Sequence, residues 1–345
     1  MNLTKNNTDS FAASLIIQGP LISNGVTGAY RGSLRNVEQK DIKNYNCFEA
    51  IEKNLVAAKN HFQLIVLSVW EGDEKYLKKN KLIYDYVDEI IYNEEPVLKQ
   101  SYKKRNSNPS FQNQPFTYNN MEKQWMTTLS GIKSTIQHGA DACIKIRTDQ
   151  ILPISDLYSS LRIAYSQDKI LVPYFDKNKP WALPDFYFGG NALSMFKFMD
   201  SLLNQQIKYF SQNVHDQFFF GGSFYLSRQP DINWIHYIKS TNNFSKYQKA
   251  IILNSWEKIW LPASEKIFEN LVWRGEKISI DSYTPVFNLN ESLEIIKKLP
   301  ISSTRNINIK LALTNLVDHS ATKKRFRFKI IEVLSYLILK TWTRF

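Results

Sequence analysis

Lys145, Arg147 and Asp149 occupy alternate positions in "CIKIRTDQILP" (143–153), a stretch that begins like a strand from the middle of a sheet. Strand alternation puts the three charged side chains on one side and Ile144 and Ile146 on the other. A cation and a carboxylate at the carboxyl end of a strand suit a diphosphate. Asp149 would hold a divalent cation, and Arg147 or Lys145 would offset phosphate charge. A structural ion pair is the competing reading, because such networks also gather charge at strand ends.

Other candidates stand at the ends of further apolar runs. Gln18-Gly19-Pro20 closes "ASLIIQGP", where the glycine permits close backbone approach and the glutamine amide can bond a base, although Gly-Pro also simply ends strands. Trp70 and Glu71 close "FQLIVLSVW", and the indole either stacks on a planar ring or packs. In "VHDQ" (214–217), Asp216 is a candidate general base with His215 as its proton partner, or else a helix cap. Trp181 and Asp185, in the aromatic, proline-punctuated stretch 172–191, suit a sugar acceptor through a ring face and a carboxylate, or are loop packing.

The elements that must position these groups are strands alternating with helices. Residues 13–18, 62–70, 86–95 and "DACIKIR" read as strands, and "DIKNYNCFEAIEKNLVAAKNH" reads as a helix. The clearest helix precedes the fourth strand, where Met121, Trp125, Leu129, Ile132 and Ile136 recur at spacings of three and four. Gly139 is a natural stop. This alternation predicts a mostly parallel, Rossmann-like α/β sheet with helices on both faces and ligands beyond the carboxyl ends of its strands. The polar stretch 99–120 reads as a long functional loop. The domain expectation is an α/β core over 1–225, a helical extension over 226–322 that completes the acceptor side, and a tail over 323–345.

The 345 residues, 43% of them apolar, suffice for one large domain or two modest ones. Two cysteines, Cys47 and Cys143, make neither a disulfide framework nor a thiol zinc site, which fits a reducing cytoplasm. Histidines at 61, 138, 215, 236 and 319 are too scattered for a metal cluster. The N-terminus has the look of neither an export signal nor a membrane span, and no run approaches the roughly 18 apolar residues of a spanning helix. Phosphate-loop, dinucleotide, zinc-protease and hydrolase-elbow motifs are absent.

Lysine and arginine exceed aspartate and glutamate by 44 − 32 = +12, pointing to anionic partners. Seven basic residues and one acid lie between Lys323 and Phe345, so half of that excess is in the tail. With an apolar middle and Trp342 and Phe345 near its end, the tail suits an anionic membrane surface, or a helix docked on the domain. Basic residues gathered in a tail, without aromatics interleaved along a groove, argue against nucleic acid.

In order along the chain, "IIQGP", "LSVWEG", "NNMEKQWMTTLSGI", "IKIRTDQ" and "HDQFFFG" resemble the motif set of the WavE lipopolysaccharide-synthesis proteins, bacterial proteins regarded as glycosyltransferases of GT-A-like fold. The resemblance spans roughly residues 14 to 225, and its helix followed by Lys-Ile-Arg-Thr-Asp is the most specific part. It implies that Gln18, Gly19, Pro20, Trp70 and Glu71 border a donor nucleotide. Asn120, Lys123 and Gln124 would face its sugar and phosphates. Arg147 and Asp149 would lie at the diphosphate, with His215 and Asp216 on the acceptor side, and Lys145 and Gln150 are further donor-binding candidates beside them. Where GT-A proteins have Asp-x-Asp, this chain has Arg147-Thr148-Asp149, which leaves a magnesium or manganese requirement open. The expected activity is glycosyl transfer from a nucleotide-diphosphate sugar to a lipid-linked surface glycan, as a peripheral protein on the inner face of the cytoplasmic membrane. Nucleotidyl or phosphoglycosyl transfer is the rival enzyme reading, and a non-catalytic module binding anionic membrane is the rival outside enzymes.

Overall fold

The computed structural model describes residues 11–25, 43–78, 80–96, 119–204, 219, 246–278 and 284–300. His215, Asp216, most of the expected loop at 99–120 and the basic tail lie outside the described residues. Asn120 is described in its backbone only.

The chain opens with β1 (Ala13–Gln18), then a hairpin pair, β2 (Ile22–Gly25) and β3 (Lys43–Asn46). Helix α1 (Phe48–Ala58) leads into β4 (Leu64–Trp70). Two short helices, α2 (Glu74–Leu77) and α3 (Lys81–Tyr86), precede β5 (Glu89–Asn93). Helix α4 (Asn119–Gln137) returns the chain to β6 (Ala142–Arg147) and the short β7 (Gln150–Ile151). Beyond them come α5 (Ile154–Ser166), β8 (Ile170–Val172), β9 (Phe175–Asp176), β10 (Phe188–Asn191) and α6 (Ala192–Asn204). The later described part supplies α7 (Lys246–Lys258), β11 (Trp260–Pro262), α8 (Glu265–Glu269), β12 (Val272–Trp273), β13 (Glu276–Lys277), β14 (Pro285–Val286) and α9 (Leu289–Lys298).

Seven strands form the central sheet in the order β11-β8-β10-β6-β1-β4-β5, and β10 alone runs against the rest. It is the mostly parallel, helix-covered α/β sheet that the alternation predicts. All six residues of β1 are buried, as a central strand covered on both faces requires. Leu15 and Ile17 pack with Ile51 and Leu55 of α1 and Leu157 and Leu161 of α5. Ile16 points the other way, among Leu129 and Ile132 of α4 and Met199 of α6. Each such side chain contributes about 1.5–3 kcal/mol relative to exposure.

Helix α4 lies on β1 in a two-to-four register. Thr127 donates to Oε1 of Gln18 at 2.6 Å, and Thr135 donates to Oγ of Ser14 at 2.9 Å. Gly131 sits between them over Ile16, where a Cβ would come within 2.4 Å of Cγ2. Four helical residues rise about 6 Å and two strand residues about 6.6 Å, so contacts four apart on the helix meet alternate strand positions. Of the expected apolar stripe, Trp125, Leu129 and Ile132 are buried, whereas Ile136, in the last turn, is 37% exposed.

The segment after 225 is not a separate helical extension in its described part. It contributes β11 to the sheet edge, and β12 pairs antiparallel with β7. Ala263, Ile267, Phe268 and Leu271 join the same apolar cluster as β1 and β4, so core and extension share one interior.

Candidate functional site

The chain goes from β1 outward to β4 and β5, then crosses back to β6 on the other side of β1. The reversal of strand order therefore falls between β1 and β6, and in open α/β sheets the crevice at such a point receives ligands. Gln18 and Arg147 are paired residues at the carboxyl ends of these two strands.

The turn after β6 is tied to the turn after β1. Thr148 donates its backbone N–H to the Gln18 carbonyl at 3.0 Å and its hydroxyl to the Pro20 carbonyl at 2.8 Å. Gly19 has φ +127°, and a Cβ there would lie 2.9 Å from the Thr148 hydroxyl, so both conformation and space require glycine. Asp73 accepts from the Leu21 N–H at 3.1 Å, fixing the chain as it leaves this corner.

Lys145 and Arg147 share a side of β6, as alternation requires, and Asp149 follows in the turn. Asp149 is 2% exposed and collects five donors. Arg147 gives it Nε at 2.9 Å and a terminal nitrogen at 3.0 Å. Arg274 gives Nε at 3.0 Å, while Trp273 Nε1 and Ser23 Oγ each reach it at 3.1 Å. Burial alone would raise the Asp149 carboxyl, but the Arg147 and Arg274 guanidiniums and the Trp273 N–H overcome it and hold the group well below the usual carboxylate range.

This geometry corrects the expectation that Asp149 holds a divalent cation. Its oxygens are directed at two guanidiniums, and a dication there would meet like charge, worth about 4 kcal/mol per pair of unit charges 4 Å apart at an effective dielectric near 20. Among the described residues no group of three or more His, Cys, Asp or Glu side chains is placed to hold a metal ion. The described residues here do not fit a metal, and Asp149 is the anchor of a buried ion cluster.

Arg147 also donates to Asp185 at 3.3 Å, and both side chains are 16% exposed. Asp185 is thus engaged by the diphosphate candidate rather than standing apart on an acceptor surface. Trp181 is partly buried against the α4 side of the core, a packing position. Lys145 is 1% exposed, donates to the Asp185 carbonyl at 2.8 Å and lies 5.0 Å from the centre of the Phe188 ring. Burial pushes its ammonium down to about 7, with Asp185 pulling in the opposite direction. Gln150 is fully buried, its carbonyl oxygen taking the Arg147 N–H at 3.3 Å and its backbone oxygen taking Asn54 Nδ2 at 2.6 Å. Gln18 and Gln150 thus support α4 and the turn through their oxygens, while Nε2 of Gln150 is buried without a hydrogen-bond partner. Burial raises the thiols of Cys47 and Cys143 to about 12 each, which excludes either as a nucleophile near neutral pH.

A second patch occupies the same carboxyl edge at β4, β5 and α4. Lys123 pairs with Glu95 and stands 5.9 Å from the centre of the Trp70 ring. Glu71 beside it is exposed, and Gln124 is half-buried. These residues lie at the rim of the sheet's carboxyl edge.

Ser23, Trp273 and Arg274 belong to the cluster and escaped sequence reading. The β12–β13 hairpin turns at Arg274 and Gly275, with φ of 52° and 79°. A two-residue turn with both φ positive is the type that matches strand twist. The backbone N–H of Arg274 also bonds the Asp149 carbonyl at 2.9 Å. An X-Gly pair between Val-Trp and Glu-Lys was the available signal, but nothing local links it to Asp149.

No family model matches the chain, and no curated protein matches it. Among solved structures it is similar to a 4-diphosphocytidyl-2C-methyl-D-erythritol synthase from Anaerococcus prevotii, at TM-score 0.39 and 10% identity over 84% of this chain and 98% of that one. A nucleotidyl transferase from Methanothermobacter thermautotrophicus gives TM-score 0.34 and 8% identity over 62% and 82%. A UDP-glucose pyrophosphorylase from Acinetobacter baumannii gives 0.32 and 11% over 61% and 82%. Likenesses of this size carry no activity to the chain, whose fold class rests on its own strand order.

Proposed function

We propose that the chain is a transferase that binds a nucleotide-linked diphosphate at the carboxyl edge between β1 and β6, with Arg147 offsetting the diphosphate charge. The observation supporting this reading is the gathering of Lys145, Arg147 and Arg274 with two carboxylates at the point where strand order reverses, Arg147 reaching solvent.

Two finer reactions use such a cradle and differ in the bond that breaks. In nucleotidyl transfer a sugar phosphate attacks the α-phosphorus of a nucleoside triphosphate and pyrophosphate leaves. In glycosyl transfer an acceptor hydroxyl attacks the anomeric carbon of a nucleotide sugar, loses its proton, and a nucleoside diphosphate leaves. The nucleotidyl reading needs no more than the diphosphate cradle at this sheet edge. The glycosyl reading, toward a lipid-linked surface glycan at an anionic membrane face, agrees with the WavE-like motif order and the basic tail. Among the described residues no helix is long and apolar enough to cross a membrane.

Product analysis decides between them. Full-length protein is offered nucleoside triphosphates with sugar 1-phosphates in one set and nucleotide sugars with glycan acceptors in another. Pyrophosphate release supports the first reaction, and nucleoside diphosphate release the second. Arg147→Gln should lower either turnover by about 100-fold or more, in line with loss of a leaving-group stabiliser. Absence of turnover and of nucleotide binding across both sets would overturn the proposal.

A further inference from the structure

We infer that the Trp273–Arg274 hairpin is the second wall of an anion site, in which Arg274 and Arg147 together grip a phosphate or diphosphate while Asp149 holds the two guanidiniums in place. The inference deepens the proposed function and rests on it for the identity of the ligand as a diphosphate compound.

Two guanidiniums, of Arg147 and Arg274, from distant parts of the sequence converge on one carboxylate. Arg147 lies 5.6 Å and Arg274 5.0 Å from the centre of the Trp273 ring, so one indole carries both cations on its ring system and gives its N–H to the same carboxylate. Arg274 is further braced by donating to Ser23 Oγ at 3.0 Å. Bringing like charges together is unfavourable, and a buried carboxylate shared between them fixes their forks with little freedom left to lose on binding. A guanidinium has five N–H donors, and Arg147 directs three contacts at Asp149 and Asp185, leaving it donors for a further oxygen. Paired planar forks match phosphate oxygens bidentately, which a lysine pair would not do. The side chains are 16% and 12% exposed, so an anion held by them is largely desolvated there.

The site is tested with inorganic pyrophosphate and with UDP as probes, using titration calorimetry on the full chain. Arg274→Gln should weaken pyrophosphate binding by at least 10-fold, and Arg274→Lys, which retains charge but not the fork, by several-fold. Because either variant can lose structure, hydrogen exchange on the wild-type chain supplies a second reading: pyrophosphate should slow exchange in residues 271–278. If the wild type binds UDP but the hairpin gains no protection and Arg274→Gln binds normally, the inference is overturned while the transferase reading stands. Protection and Arg274 dependence with pyrophosphate, without turnover of any nucleotide, would support the anion site and overturn the transferase reading. No binding of either probe by the wild type would overturn both.

Discussion

Replacing Asp149 by asparagine preserves the shape of the side chain and removes the charge that holds Arg147 and Arg274. Three of its five incoming hydrogen bonds come from guanidiniums, and an amide nitrogen would now face donors it cannot accept from. With the residue 2% exposed, the two cations are left buried opposite a neutral group. Breaking such a pair costs about 3–5 kcal/mol. With a urea dependence of about 3 kcal/mol per molar, the unfolding midpoint should fall by about 1–1.7 M. The assay is equilibrium urea unfolding of Asp149→Asn against the wild type, followed by fluorescence. Folded Asp149→Asn should bind pyrophosphate more weakly than the wild type, because its guanidiniums are no longer held in place before the ligand arrives. A stability loss under about 1 kcal/mol, combined with chelator-sensitive binding in the wild type that disappears in the variant, would refute the anchor role and restore Asp149 as a metal ligand.

Lys145→Met should be more stable than the wild type at pH 6, and the difference should shrink by about 3–5 kcal/mol as pH rises toward 10. The folded ammonium titrates at about 7 against about 10.4 unfolded, so the unfolded chain binds more protons in that window and wild-type stability rises with pH. Unfolding curves at several pH values measure this, and parallel pH profiles for the two proteins would contradict it. Gly131→Ala puts a Cβ 2.4 Å from Ile16, and the overpacking of about 1–3 kcal/mol should exceed the helix gain of about 1 kcal/mol. A thermal melt at or above wild type would exclude that close packing. Removing residues 323–345 should abolish sedimentation with anionic vesicles and leave pyrophosphate affinity unchanged, and retained vesicle binding would remove the tail from the proposal.

The parts legible in sequence were those carried by local periodicity. β1, β4, β5, β6 and α4 are apolar runs and stripes of sufficient length, and alternation in β6 placed Lys145 and Arg147 on one side. Gln18 looks solvent-facing as a polar residue at a strand end, whereas in the structure it is buried and its amide oxygen accepts from Thr127 of α4. Asp185 and Asp149 read as ligands because their partners cannot be identified from spacing. Arg274 and Trp273 were invisible for a related reason. Their strands are two residues long, too short for any period, and their contacts are set by the tertiary fold.

Ser23 and Arg274, 251 positions apart, are joined through Asp149, so the corner needs both ends of the described chain before it is complete. During synthesis Asp149 and Arg147 emerge and can pair long before residue 274 leaves the ribosome. Closing so large a loop is entropically expensive and late. A nascent or prematurely terminated chain would therefore hold a half-built corner, competent in its sheet yet lacking its second guanidinium, and competence at this corner would report that translation had passed residue 274.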